Sequence, residues 1–247
     1  VERNIKLLIS YDGTNFAGWQ KQRGFRTVQG VLEGALADLH KTPTVLVGAG
    51  RTDSGVHATG QVGNFYSPNE SIEAKKFSAA INARLPGDVR VLLSNAVSED
   101  FHSKRDARSR QYVYWIVNSL LGTAHMSRYA WFISRLPSLV ALNEMARVIC
   151  GSHDFTSFTA VGDVSKSRIR CINHAVFLTK GPMLLFQIDG NAFLWKMVRS
   201  LLGTMVDLAL HGGGGKEMRE IMDSKNRDAA GPTAPARGLF LTKVDYG

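Results

Sequence analysis

The order of strand and helix patterns, written twice along the chain, is what most restricts the fold. NIKLLISYDG alternates Ile5, Leu7, Ile9 and Tyr11, the two-residue period of a strand. TVQGVLEGALADLHK sets Val28, Val31, Leu32, Ala35, Leu36 and Leu39 on one helical face, behind Thr27 as N-cap. TVLVGAG and QVGNFYS predict two short strands. IEAKKFSAAINARLP predicts a helix through Phe77, Ile81 and Leu85 that stops at Pro86, and DVRVLLSNAV a further strand. The order is β-α-β-β-α-β, the split βαβ unit. The second half repeats it. RQYVYWIVN is apolar or aromatic on both faces and predicts a central strand. PSLVALNEMARVICG predicts a helix with Ser138 as N-cap and Gly151 past its end. RIRCINHAVFL and MLLFQIDG, joined by TKGP, predict a hairpin. NAFLWKMVRSLLGTMVDLAL predicts a long buried helix carrying Phe193, Met197, Leu201 and Met205, and GLFLTKVDY a last strand. The expected class is α+β: two ferredoxin-like halves with mostly antiparallel sheets joined around a central cleft. The halves are expected at 1–105 and 106–247, meeting in the basic run FHSKRDARSR, with HGGGGK at 211–216 as a flexible break.

Composition narrows the class of partner. Hydrophobic residues make up 44% and charged residues 21% of 247, an ordinary globular mixture long enough to bury a sizeable core. The formal net charge is +9, which favours a polyanionic partner over a merely soluble basic surface. The two cysteines, Cys150 and Cys171, fall in apolar helix and strand patterns and are expected as small buried hydrophobes, not a disulfide framework or a metal set. No secretory signal opens the sequence and no apolar run reaches about 18 residues, so a cytoplasmic protein without a membrane span is expected.

GAGRTDSGVHATGQ, residues 48–61, follows neither period. A phosphate-binding loop does not fit: the Gly-Lys-Ser/Thr end is missing and Asp53 would repel the phosphate. A metal site does not fit either, because Asp53 and His57 have no further close ligand to complete a set. Nothing marks Ser54 as a nucleophile elbow, and His57 reads as structural or as a polar support. A carboxylate on a tight loop between apolar strands is costly unless paired. Two readings remain open at this point: an Asx-type turn capping its own backbone, and a nucleophilic or general-base aspartate.

YDGTNFAGWQ at 11–20, AGRTDSGVHATGQV at 49–62, GNAFLWKMVRSLLGT at 190–204 and APARGLFL at 234–241 occur together in this order. The set, spanning nearly the whole chain, resembles the tRNA pseudouridine synthase A family. It departs at Phe101-His102-Ser103-Lys104-Arg105, where the family shows something closer to Phe-His-Ala-Arg-Phe, and is only loosely similar around GDVSKSRIR. The resemblance implies isomerisation of uridine to pseudouridine in tRNA, in the anticodon stem-loop, with no metal or organic cofactor, by a homodimer that binds tRNA across both subunits. It makes Asp53 the catalytic carboxylate, reached by a uridine flipped out of its stem. Arg51 would fill the vacated space or bind adjacent phosphates. Tyr112, in RQYVY, matches the active-site tyrosine that stacks on uracil and can take the C5 proton, while Tyr114 fits a core aromatic. Arg199, an arginine amid apolar helix positions, would pair with Asp53 and keep it ionised. Leu239 would line the uracil site. HDFTSFT at 153–159 resembles a family segment without an assignable chemical step. Lys21, Arg23, Arg26, Arg105, Arg108 and Arg110 lie near the motifs and are candidate phosphate contacts. The competing function is a non-catalytic tRNA-binding or chaperone protein, against which Asp53, Tyr112 and Arg199 argue. A metal-dependent nuclease lacks clustered carboxylates.

Overall fold

Strand β1 (Arg3–Tyr11) begins the computed structural model, which describes residues 3–247. The chain divides into two units: residues up to Arg110 together with Phe240–Gly247, and Gln111–Leu239. In the first, β1 is followed by α1 (Val28–His40), β2 (Val47–Gly48), β3 (His57–Ser67), α2 (Phe77–Asn82) and β4 (Val89–Ala96). The strand order is β4-β1-β3, all antiparallel, with β2 antiparallel to β3. This is the split βαβ arrangement that the periodicity predicts. The alternation in β1 is a burial alternation: Ile5, Leu7 and Ile9 are completely buried, as are Leu32 and Leu36 of α1 and Phe77 and Ile81 of α2. Thr27 caps α1, its side chain accepting from the Gly30 N–H.

Helix α2 is shorter than its apolar spacing suggests. Asn82 ends it by turning its side chain to β4, where Nδ2 donates to the Val91 carbonyl and Oδ1 accepts from the Val91 N–H, both at 2.8 Å. An amide that satisfies a strand residue on both sides replaces one more helical turn, and Leu85 lies beyond the helix.

The second unit is built from β5 (Ser109–Asn118), β6 (Trp131–Ile133), α3 (Leu139–Val148), β7 (Gly151–Asp154), β8 (Ile169–Lys180), β9 (Met183–Gly190), α4 (Met197–Leu210) and α5 (Gly215–Ser224). Its strands run in the order β5-β9-β8-β7, with β6 parallel to β5. β8 and β9 form the expected antiparallel hairpin. Ser138 caps α3 by accepting from the Ala141 N–H. The last strand, β10 (Leu239–Asp245), pairs in parallel with β3 through Phe240–His57 and Leu241–Ala58.

Two expectations in this unit are corrected. The helix expected from Asn191 starts only at Met197, and Phe193 precedes it, because Lys196 takes a left-handed conformation (φ 61°) and breaks the helical run. The break expected at 211–216 is shorter, because α5 begins inside the glycine run at Gly215, and its Met218 and Met222 are buried one turn apart. Its start is capped by Glu217 Oε2, which accepts from the Gly214 N–H at 2.8 Å. The cysteines are both free, as expected, but neither is fully buried as their apolar patterns suggest. Among the described residues no helix is long and apolar enough to cross a membrane.

Candidate active site

The irregular stretch is a loop only from Ala49 to Val56, since β3 begins at His57. The loop is held by the segment that precedes it in the motif series. The Trp19 N–H donates to the Thr52 carbonyl at 3.1 Å and the Gly55 N–H to the Phe16 carbonyl at 3.4 Å. Ser54 Oγ donates to the same Phe16 carbonyl at 3.1 Å, and the Tyr11 and Thr52 hydroxyls lie 2.8 Å apart. From the β3 side, Ala49 N–H donates to the Val62 carbonyl and Gln61 Nε2 to the Gly50 carbonyl, both at 2.8 Å. Two glycines let the strands of backbone approach. A Cβ at Gly13 would lie 2.0 Å from the Val56 carbonyl oxygen, and one at Gly18 (φ +96°) 2.7 Å from that of Thr52. The co-occurrence of YDGTNFAGWQ and AGRTDSGVHATGQV therefore has a structural cause: each is the other's packing partner.

Asp53 stands half-buried at the tip of this braced loop, between buried Thr52 and exposed Ser54. The turn after it is closed by main chain, the Val56 N–H donating to the Asp53 carbonyl at 3.1 Å. Arg51 is exposed. His57 has the surroundings of a structural residue. It is 1% exposed, its Nδ1 accepts from the Gly13 N–H at 3.0 Å and lies 3.2 Å from Asp12 Oδ1, and its ring stacks on Phe240 at 4.7 Å.

The other motif residues belong to the second unit and are tied together in a similar way. Arg199 lies in the first turn of α4, with Nε donating to the Ala234 carbonyl at 2.8 Å, while its own carbonyl accepts from the Ala234 N–H at 3.0 Å. Tyr114 on β5 donates its hydroxyl to the Pro235 carbonyl at 2.6 Å. Burial pushes its phenol well above the ordinary range, against the pull of the Arg199 and Arg237 charges. Tyr112, two residues earlier, is buried edge-on to Phe193, ring centres 5.3 Å apart. Leu239 is buried. GNAFLWKMVRSLLGT and APARGLFL thus meet through Arg199 and Ala234.

A residue that carries no expectation from sequence, Asp163, organises the approach to α4. Its side chain is 5% exposed and pairs with Arg168. It accepts from the Ser165 N–H and the Trp195 N–H, each at 2.7 Å. Burial pushes its carboxyl up, but the Trp195, Ser165 and Arg168 donors outweigh that and hold it at about 2. In sequence it is one aspartate in a polar run, and only the fold shows what it gathers. HDFTSFT is packing: Phe155 and Phe158 are completely buried, and Ser157 Oγ donates to the Ile221 carbonyl of α5 at 2.7 Å.

The six basic candidates differ in their surroundings. Arg26 makes a two-pronged pair with Asp88 at 2.8 and 2.9 Å, its guanidinium 4.0 Å from the centre of the Phe16 ring. Lys21 pairs with Glu33 at 2.9 Å. Arg105 pairs with Asp106 at 3.2 Å and donates to the Asp100 carbonyl at 3.0 Å. Arg110 donates to the carbonyls of Ala107, Ala49 and Lys104 at 2.9–3.0 Å. Arg23 and Arg108 are exposed. Among the described residues no three His, Cys, Asp or Glu side chains gather as a metal ion would require.

The family model described as tRNA pseudouridine synthase matches residues 7–104 and 145–247. The tRNA pseudouridine synthase A of Treponema denticola is 48% identical over 250 residues, covering 99% of this chain and 93% of the relative. That of Acetivibrio thermocellus is 38% identical over 244 residues, covering 99% and 100%. Among solved structures, a chain of a Cbf5-Nop10-Gar1 complex is a remote likeness, at 11% identity and a TM-score of 0.41 over 96% of this chain and 57% of that one.

Proposed function

Since the chain belongs to the tRNA pseudouridine synthase A family, and is an isomerase acting on tRNA, we propose that Asp53 is the carboxylate that makes its chemistry possible. The observation that carries this reading is the bracing of the Asp53 loop by residues 11–20. A carboxylate that must meet one carbon of one nucleoside gains most from a support that does not move, because orientation is then settled before the substrate arrives.

The reaction balances without an added oxidant or reductant. The bond from uracil N1 to C1′ breaks, the base turns, C5 bonds to C1′, the C5 proton leaves and N1 gains one. Asp53 serves by attack at C1′, by attack at the base, or by removing the 2′ proton. Tyr112 stacks on the uracil and takes the C5 proton, and Leu239 lines the base. Arg199 is the proposed counter-charge of the catalytic carboxylate. A guanidinium can hold a carboxylate through two parallel N–H bonds, which fixes the direction of the carboxylate as well as its charge. A base inside a stem reaches this machinery only when flipped out, at a cost of a few kcal/mol, and Arg51 fills the gap or holds the neighbouring phosphate. We assign the target to the anticodon stem-loop and the working form to a cytoplasmic homodimer, on the strength of the family.

The test is release of hydrogen from C5-labelled uridine in tRNA folded in monovalent salt with chelator present. Release is expected. No release from any tRNA would favour a binding protein, and release only on adding a divalent ion to already folded tRNA would give that ion a role.

A further inference from the structure

Trp195 is 48% exposed, whereas Trp19 is 3% exposed, and its backbone is fixed from both sides. Its N–H donates to Asp163 Oδ2 at 2.7 Å, and its carbonyl accepts from the Ala160 N–H at 3.0 Å. The Lys196 ammonium sits 5.2 Å from the centre of the indole. Lys196 is one of three non-glycine residues with positive φ among the described residues, together with Lys41 and Lys225. Those two close helices α1 and α5, where a left-handed residue is ordinary. Lys196 opens a helix, where it is not. A strained residue persists where the surrounding structure over-determines it, and such residues cluster at functional sites. Here the strain turns Trp195 and Lys196 outward, side by side, on the short segment that also carries Phe193 against Tyr112 and leads into Arg199. Val161 and Val164 are almost fully exposed nearby in sequence to Asp163, and Lys166 is exposed as well.

We infer that Trp195 is a stacking platform for an unpaired base of the tRNA, with Lys196 on the adjoining phosphate. The inference rests on the tRNA reading above and adds a binding residue to it. An exposed indole alone would suit many partners. An exposed indole on a backbone held from both sides, with an ammonium beside it, in a chain of net charge +9, matches a ligand that presents a flat π-face and a negative charge a few ångströms apart, which is what each nucleotide of a single-stranded segment presents. Asp163 is the positioning residue: its bond to the Trp195 N–H fixes where the ring stands.

The experiment has two arms. In turnover, Trp195→Ala is expected to raise KM for tRNA about tenfold, within the range measured for loss of one stacked base. Its kcat should stay within about twofold, and Trp195→Phe, which keeps a ring, should stay close to wild type. In binding, indole fluorescence of the wild type should be quenched by tRNA and by short oligouridylate, and the quenching should be largely lost in Trp195→Phe. A KM unchanged in Trp195→Ala, or quenching undiminished in Trp195→Phe, would overturn the platform. If the quenching depends on Trp195 but no C5 hydrogen is released, the platform stands and the isomerase reading of the site falls. If the wild type turns over without Trp195-dependent quenching, the platform falls and the isomerase reading stands.

Discussion

Asp53 gains its proposed role from its support: the residues around it bond through backbone and short side chains to residues 11–20, so the loop has holders besides its carboxylate. Asp53→Ala should therefore abolish C5-hydrogen release while tRNA affinity stays within about tenfold, or ~1.4 kcal/mol. Ser54→Ala is the control. It removes one hydroxyl bond to Phe16 and should retain most of the turnover. Turnover by a verified Asp53→Ala protein would take the nucleophile role from Asp53, and an equal loss in a folded Ser54→Ala would assign the effect to the loop. Arg199 is bound twice to Ala234, once through its side chain. A lysine there supplies one ammonium in place of a planar fork and cannot serve both the Ala234 carbonyl and the carboxylate edge proposed for Arg199. Arg199→Lys should fold, bind tRNA and turn over at least about tenfold more slowly, since one oriented charged hydrogen bond is worth roughly 1.5–3 kcal/mol. A normal rate at saturating tRNA, with only a lower melting temperature, would confine Arg199 to holding Ala234. At this scale motif resemblance offers Asp53, Tyr112 and Arg199 as candidates, because a motif records residue and order. It did not carry the Ala234 carbonyl or the gathering role of Asp163, because hydrogen bonds between distant segments leave no local period.

The elements show where local pattern and tertiary contact part company. β1, α1, α3 and the β8–β9 hairpin follow their periods and caps, as burial of Ile5, Leu7 and Ile9 in β1, of Leu32 and Leu36 in α1 and of Leu142 and Met145 in α3 shows, with the register of the hairpin. α2 and α4 are trimmed by partners outside themselves, Val91 for Asn82 and Asp163 for the segment before Met197. α5 was hidden by its glycine-rich start, although the spacing of Met218 and Met222 could have found it. The same contrast makes a prediction about two glycines. Gly34 lies in α1, exposed, with nothing within 4 Å of an added Cβ, so Gly34→Ala should stabilise the fold by about 0.5–1 kcal/mol through helix propensity and a less flexible unfolded chain. At Gly13 the added carbon would meet the Val56 backbone at 2.0 Å, and neither segment can yield without moving the loop. Gly13→Ala should cost more than about 1 kcal/mol, in the range of overpacking, and should lower turnover along with stability. Denaturant melts of both variants beside the label-release assay check this. A Gly13→Ala protein as stable and active as the wild type would mean that the loop is not held as tightly as its contacts imply.

For the molecule as a whole the question is how an excess of nine positive charges is used. Net charge pointed to a polyanion, but which cations touch it is decided by what else they hold. Arg110 spends its donors on three carbonyls, and Arg26 and Lys21 face carboxylates. An arginine that staples backbone contributes to stability whether or not RNA is bound, whereas an exposed one contributes chiefly through release of counterions from the phosphates. Affinity for tRNA should accordingly fall steeply with salt. If about four phosphates are neutralised, the slope of log K against log salt is about −3, or a loss of about sixtyfold between ~50 and ~200 mM. Arg23→Ala, on an exposed side chain, should leave the melting temperature unchanged and reduce that slope by about 1. Arg110→Ala should do the reverse, lowering stability by about 1–3 kcal/mol for the carbonyls left unsatisfied, with a slope near that of the wild type. Titrations at several salt concentrations, paired with thermal melts, separate the two. A flat salt dependence for the wild type would remove phosphate contact as the source of affinity, and a slope change in Arg110→Ala without loss of stability would place that arginine on the RNA despite its carbonyl partners.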